Sequence, residues 1–441
     1  MPSVNIVGGG LAGLAAAAAL GSAGFQVDLF ESRPFLGGRA TSFPVTPGDD
    51  ESELIDNCQH VLLRCCVNLL DFYTRLGVAD RIQFYREYYF LEPGGRMSRL
   101  GRSSLPAPLH LTLSFLRMAC LGAADKFAIS RAMMALMRER GRRRDLDQIT
   151  MLDWLLQKKQ TPRAIERFWR QVLVSAVNEE LDRMAALHGF QVFWLGMLAR
   201  PDSYEMGVPQ VPLRELYGVD AWQKLDHVRI HTRSPVEQLV FRNGRACGVQ
   251  IGGAQETADF YVCAVPFERL DALAPELGVD TAAFEHSSIT GIHIWFDRPV
   301  TDLHHAALLD RTIQWMFNKS QGRYLQFVVS ASRDLVQMPR AEVIDLVLGE
   351  AAEFFPLVRE AKVERANVIK EVRATYSARP GMEAFRPNAK TSATNVFLAG
   401  DWTRSGWPAT MEGAVRSGYR AAEHVCAAVG QPAQFLLPDI A

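Results

Sequence analysis

Residues 4–7 alternate little and are bounded by glycines, the pattern of a strand buried on both faces of a parallel sheet. An alanine-rich helix is expected over 11–20 and a second short strand over 26–30. From about residue 62 to 137, apolar positions such as Leu69, Leu70, Phe72, Tyr73 and Leu76 recur at helical spacing and predict a long, mostly helical insertion. Residues 150–198 continue in that style, with Thr150 an N-cap before Met151, Leu152, Trp154 and Leu155. Strand character returns at 228–231, 236–241 and 246–251, with Asn243-Gly244 as a type I′ hairpin signal, and again at 261–265. After Ile289, strands at 291–296 and 324–330 accompany a helix near 341–354. This order predicts α/β plus α+β architecture in two interleaved domains. Residues 1–80, 215–288 and 385–441 build one, and 81–214 and 289–384 build a mixed, largely helical second.

Composition narrows the classes of function. With 441 residues, 48% hydrophobic and 22% charged, the chain is long and apolar enough for two cores. Lys+Arg number 48 against 49 Asp+Glu, so no overall field attracts nucleic acid. Seven cysteines, with Cys65 and Cys66 adjacent and none spaced CxxC, give neither a disulfide framework nor a zinc signature. A reducing cytoplasm is the expected setting. The chain has no charged side chain before Asp28, but this opening lacks a basic n-region and is broken by Gly8, Gly9, Gly10 and Gly13, unlike a signal peptide. Residues 103–116 contain Pro106 and Pro108 and fall short of the roughly 20 residues a bilayer requires. No membrane span is expected. Residues 117–144 hold eight basic and two acidic side chains after the apolar stretch 105–116. They suit either peripheral docking on anionic lipid at the inner membrane face or a solvated helical surface.

The candidate chemistry begins at Gly8-Gly9-Gly10-Leu11-Ala12-Gly13, a GxGxxG motif between strand and helix. Gly8 serves the tight turn, Gly10 close approach of a pyrophosphate, and Gly13 helix–strand packing. Glu31 ends the next strand 23 residues after Gly8, where a carboxylate accepts from ribose hydroxyls. Gly37-Gly38-Arg39 follows; paired glycines and a guanidinium suit a diphosphate, and nicotinamide enzymes do not need this second element. The combination points to FAD on a Rossmann-type unit. Near the C-terminus, a strand over 395–400 ends at Asp401, an acceptor for a ribityl hydroxyl. A helix over 410–425 either packs in the core or aims its positive end at a reduced flavin. No second GxGxxG follows a strand, so no built-in NAD(P)H site is expected and the flavin's external reductant is open.

These three elements resemble the amine oxidase and phytoene desaturase superfamily of FAD enzymes over nearly the whole chain. The resemblance implies FAD held by Gly8, Gly10, Leu11, Ala12, Gly13, Glu31, Ser32, Gly38, Arg39, Val236, Asp401 and Met411. In it, Val236 is the strand residue whose backbone meets adenine. It implies non-covalent binding, because Gly406-Trp407-Pro408-Ala409-Thr410 lacks the cysteine that carries the flavin in some amine oxidases. Within the superfamily, the segments 55–63, 211–213 and 399–403 resemble the squalene-associated branch, the hydroxysqualene dehydroxylases of hopanoid pathways; that branch usually has glycine at Cys58. The branch implies reductive removal of an allylic hydroxyl from a long apolar isoprenoid, with hydride from reduced FAD. His60 is then either the acid that protonates the hydroxyl or a structural histidine. The alternatives are a carotenoid desaturase or isomerase, a flavin amine oxidase with an aromatic cage, and a non-enzymatic prenyl-lipid binder.

Overall fold

The computed structural model describes residues 1–46 and 53–440. Strands Ser3–Val7 and Gln26–Phe30 form where the apolar runs predict them. They sit inside a five-stranded parallel sheet ordered Val228–His231, Gln26–Phe30, Ser3–Val7, Phe260–Cys263 and Val396–Leu398. Val4 lies opposite both Val27 and Phe260, so the strand that leads into the first glycine motif is central. The Leu11–Ser22 helix is buried from Leu11 to Gly21 because its alanines let neighbours approach from every side. The Met411–Ala428 helix packs against it so closely that a Cβ on Gly418 would lie 2.2 Å from the Ala12 carbonyl oxygen. The first and last helices of the chain are thereby fixed together over the same sheet.

A second sheet has seven strands, ordered Val363–Tyr376, His286–Phe296, Tyr324–Ser330, Trp315–Ser320, His305–Leu308, Glu87–Leu91 and Met97–Gly101. It is antiparallel except where His305–Leu308 meets Glu87–Leu91. The Arg340–Phe354 helix covers one face, with Val343, Val347 and Phe354 in one core with Ile292, Ile294 and Phe327. The helical reading of residues 62–137 is corrected here. Val67–Leu76 and Ala123–Glu139 are helices, but Ile82–Tyr85, Glu87–Leu91 and Met97–Gly101 are strands. The last two form a hairpin about Gly94 and Gly95, which both adopt positive φ.

Between the sheets' segments lies the helical region expected over 150–198. Thr150 caps the Met151–Gln157 helix, accepting from the Asp153 N–H at 3.0 Å. Two π-helical turns interrupt this region, at Ile165–Arg170 and Trp194–Leu198. Asn243 and Gly244 both take positive φ in the hairpin turn their sequence signals. Among the described residues, no helix is long and apolar enough to cross a membrane.

Candidate functional site

The glycines of the first motif differ in what demands them. Gly8 has φ +110° and a Cβ there would sit 2.6 Å from the Ala264 carbonyl oxygen; at Gly13 it would sit 1.9 Å from the Gly8 oxygen. Those two positions admit glycine alone for reasons internal to the protein. Gly10 has φ −75°, and the nearest atom to an added Cβ is the Gly38 Cα at 4.0 Å. Nothing in the chain excludes a side chain at Gly10, so its glycine keeps a space open. Gly10 also caps the Leu11–Ser22 helix without a side-chain bond, and no acidic residue stands in the first turn. Leu11 and Ala12 are buried there. A helix N-terminus with free N–H groups beneath an open space is a diphosphate cradle. Gly37 closes it, donating its N–H to the Gly9 oxygen at 2.8 Å, and Gly38 lies directly over Gly10.

Glu31 is buried at the end of its strand. It accepts from the Gly9 N–H at 2.7 Å, the Arg33 N–H at 2.8 Å and the Ser32 hydroxyl at 3.1 Å. Three donors thus orient one carboxylate beside the cradle, while Ser32 itself is exposed. Val236 is corrected: it is half-buried in the connection after Val228–His231, and the strand expected from residue 236 begins at Gln238.

The sequence reading treats Arg39 and Asp401 as separate cofactor contacts, and the structure joins them. The Arg39 Nη2 donates to Asp401 Oδ1 at 2.7 Å and its Nη1 to the Ala374 oxygen at 2.8 Å. Burial alone would lower the guanidinium's pKa, but the carboxylates of Asp401, Glu268 and Glu371, Asp401 foremost, together raise it. This pair ties the second glycine motif to the C-terminal segment and to the Val363–Tyr376 strand. The loop 401–407 is held from below by Arg386, whose Nη2 donates to the carbonyl oxygens of Asp401 at 3.0 Å, Thr403 at 2.5 Å and Trp407 at 2.8 Å. Beyond it, Thr410 caps the Met411–Ala428 helix, accepting from the Gly413 N–H at 3.1 Å, with Met411 half-buried at the first helical position. The rings of Trp402 and Trp407 are both held by their indole N–H groups. Trp402 donates to the Val265 oxygen at 3.0 Å and Trp407 to Asp439 at 2.9 Å.

The segment 55–60 lies beside Arg39. Asn57 Nδ2 donates to the Arg39 oxygen at 3.0 Å and to Glu371 Oε2 at 3.1 Å. Asp56 is buried, accepting from the Ser42 hydroxyl at 2.7 Å, the Leu213 N–H at 3.0 Å and Lys319 Nζ at 3.0 Å. Burial would raise the Asp56 carboxyl, but Lys319 and these donors hold it below the usual range. Lys319 also reaches Gln59 Oε1 at 3.2 Å. His60 Nδ1 lies 2.8 Å from the Cys58 carbonyl oxygen. A carbonyl only accepts, so Nδ1 carries the proton and Nε2 is a lone-pair acceptor. Burial lowers the His60 pKa, which keeps the ring neutral at pH 7. This arrangement suits accepting a proton rather than donating one. Glu371 and Lys319 carry no motif, and only folding brings them to this segment.

A parallel sheet with a glycine cradle, a fixed carboxylate at the second strand's end and a returning C-terminal strand and helix defines a dinucleotide-binding flavoprotein. The family model described as flavin containing amine oxidoreductase matches residues 11–426, and the chain belongs to that family. Its cofactor is FAD, and it is an FAD-dependent oxidoreductase. The chain is 27% identical to zeta-carotene desaturase of Zea mays over 96% of its length and 83% of the relative's. It is 24% identical to 15-cis-phytoene desaturase of Synechococcus elongatus, over 96% of each chain. Among solved structures, an oxidoreductase from Methanosarcina mazei superposes with TM-score 0.71 at 17% identity, covering 94% of this chain and 98% of that one.

Proposed function

We propose that the chain performs FAD-dependent redox chemistry at an allylic carbon of a long acyclic isoprenoid, and that it desaturates a polyene. The observation that carries this reading is the 96% coverage of the chain by relatives named zeta-carotene and phytoene desaturases. FAD, when bound, exchanges a hydride with the substrate carbon. The cradle around Gly8, Gly10, Leu11, Ala12, Gly13 and Gly38 holds its diphosphate, with Glu31 and Ser32 on the adenosine side. Arg39, Asp401 and Met411 wall the opposite side. Desaturation also releases a proton, and His60 Nε2 is the acceptor the chain offers beside Arg39. No covalent link to the flavin forms in this reading, and acid precipitation releases the yellow colour to the supernatant. Colour retained in the pellet contradicts it.

Reductive dehydroxylation of hydroxysqualene is the second reading, favoured by the segment Ile55-Asp56-Asn57-Cys58-Gln59-His60 and its resemblance to the squalene-associated branch. It requires a proton donor other than neutral His60. Two incubations decide. Oxidised protein with phytoene or zeta-carotene and a quinone acceptor yields a more conjugated polyene under the first reading. Flavin-reduced protein with hydroxysqualene, without oxygen, yields squalene under the second. Neither product, together with peroxide formed from a primary amine, selects an amine oxidase instead.

The substrate partitions into lipid, and the chain carries a surface for reaching it there. Leu109, Leu113, Leu116, Phe127 and Met134 are exposed at 54%, 46%, 54%, 71% and 45%. Arg117, Arg131 and Arg138 are exposed among them. We infer peripheral docking on an anionic leaflet from the cytoplasmic side.

A further inference from the structure

The segment that carries His60 is anchored at its two ends. Leu54–Asp56 pairs with Ser42–Pro44, and Asn57 donates its N–H to the Thr41 oxygen at 2.9 Å. Further on, Leu62–Leu63 pairs with Gly207 and Met206. Residues 58–61, between these anchors, belong to no strand or helix. Where the His60 ring lies therefore depends on what grips this link from the side.

One grip comes from the seven-stranded sheet. Strands Trp315–Ser320 and Tyr324–Ser330 pair Asn318 with Leu325 and Ser320 with Tyr324, which leaves Lys319 as an extra residue between the pairs. Such a bulge bends a strand and re-aims a side chain, and bulges are over-represented beside active sites. This one delivers a mostly buried ammonium to the link: Lys319 Nζ donates to Asp56 Oδ2 at 3.0 Å and to Gln59 Oε1 at 3.2 Å. An ammonium only donates, so the Gln59 amide must turn its oxygen toward Lys319. Gln59 is buried and its Nε2 has no partner among the described residues, so the amide is held from the lysine's side. Asp56 is itself tied to the Ser42 hydroxyl and the Leu213 N–H, which gives the lysine a fixed support. Gln59 directly precedes His60, and Asn57 on the other side of Cys58 is bonded to the Arg39 oxygen.

We propose that Lys319 is a positioning residue for His60, gripping the 58–61 link through Asp56 and Gln59 so that the ring keeps its place beside Arg39. The proposal rests on the reading of His60 as the proton acceptor and adds the part that orients it. The charged groups that face His60 are Asp56, Arg39 and Glu371. From the seven-stranded sheet, His293 and Tyr324 also face Asp56. Burial pushes His293 down to about 4 and the Tyr324 hydroxyl up, so both are neutral at pH 7 and the Lys319 ammonium is the group that balances Asp56 from that side.

The test follows the Cε1–H resonance of His60 against pH in FAD-loaded protein carrying isotope-labelled histidine, with the signal assigned by its absence from His60→Gln. In the wild type its midpoint lies below the ordinary histidine value. Lys319→Met removes both bonds of the grip. Gln59→Leu removes one and leaves the Asp56–Lys319 pair whole, so it serves should an unpaired Asp56 keep the first variant from folding. In each, the loosened ring reaches water and its midpoint shifts up toward about 6.5, while FAD content stays at the wild-type value. Single-turnover reduction of the flavin by zeta-carotene slows by about 10–100-fold, as expected of a displacement of about 1 Å. Placed in a His60→Gln background, Lys319→Met costs nothing further, because the two residues act as one unit. A wild-type midpoint in both Lys319→Met and Gln59→Leu overturns the proposal and leaves the reading of His60 standing. A rate loss from Lys319→Met that persists in the His60→Gln background overturns it as well. Full turnover by His60→Gln overturns the proton-acceptor reading and the proposal with it, and the titration, which needs no substrate, tells the two failures apart.

Discussion

At the scale of single residues, the glycine motifs separate structural demand from ligand demand. Gly13→Ala drives a methyl group onto the Gly8 carbonyl oxygen and destabilises the fold by about 1–3 kcal/mol. Gly10→Ala meets nothing closer than 4.0 Å, so its apoprotein melts with the wild type while FAD affinity drops. Thermal unfolding and FAD titration of the two variants check the contrast; a Gly10→Ala protein with full affinity places the diphosphate elsewhere. Glu31→Ala removes the acceptor that three donors orient and weakens FAD binding by about 1.5–3 kcal/mol, read by the same titration. His60 predicts a pH dependence whose sign follows from its lowered pKa. Under the desaturase reading His60 accepts the proton as a neutral ring, so the rate should rise with pH through a midpoint below the ordinary histidine value and be level at pH 7. His60→Gln should abolish that limb of the single-turnover profile; a profile unchanged by the substitution returns His60 to a structural part.

At the scale of elements, the Met411–Ala428 helix is more than a dipole aimed at a flavin. Its second residue, Glu412, is buried against the start of the Val67–Leu76 helix, accepting from Asn68 Nδ2 and the Leu69 N–H, both at 2.8 Å. Burial pushes the Glu412 carboxyl up to about 7, against the opposing pull of these bonds and Arg416. The folded state therefore binds a proton that the unfolded chain releases near 4.5. Stability falls as pH rises from that value to about 7 and is level above it. Glu412→Gln should flatten this part of the curve of thermal midpoint against pH; a slope equal to wild type means the carboxyl is ionised throughout.

The sequence made such elements legible where local chemistry acts alone. Asn243-Gly244 gave its turn, Thr150 its cap and residues 26–30 their strand because each depends on its own neighbours. The hairpin of Glu87–Leu91 and Met97–Gly101 was hidden by apolar spacing that also fits a helix. Burial alternates along Met97, Ser98, Arg99 and Leu100 but does not follow polarity, since Met97 is exposed and Ser98 buried, so the signal left in the sequence was the paired glycines between the strands. The site splits the same way. Gly8, Gly10, Gly13, Glu31 and Arg39 are adjacent in sequence or set by one strand–turn–helix unit. Glu371, Lys319 and the Arg39–Asp401 pair depend on contacts 263 to 362 residues apart, which no local pattern encodes.

At the scale of the whole molecule, the proposed docking on lipid rests on one exposed helical face. The face combines two attractions that differ in their response to salt. On an anionic leaflet, the exposed Leu109, Leu113, Leu116, Phe127 and Met134 would bury apolar surface in the headgroup region, at about 25 cal/mol per Å². Arg117, Arg131 and Arg138 would add about 1 kcal/mol each near such a surface, and salt would screen that part within a Debye length of about 8 Å. Flotation with anionic liposomes should therefore carry the protein up at low salt, carry less at high salt, and carry little on neutral lipid. Phe127→Ser with Leu113→Ser removes one exposed apolar side chain from each of two adjacent segments, which should leave an electrostatic residue of binding that disappears in salt. Because both side chains already face solvent, the double variant keeps its thermal midpoint and FAD content. It also keeps its turnover on substrate in detergent micelles while losing turnover on substrate in liposomes. Equal flotation on neutral and anionic lipid, or a double variant that floats as well as wild type at high salt, means that another surface meets the membrane or none does.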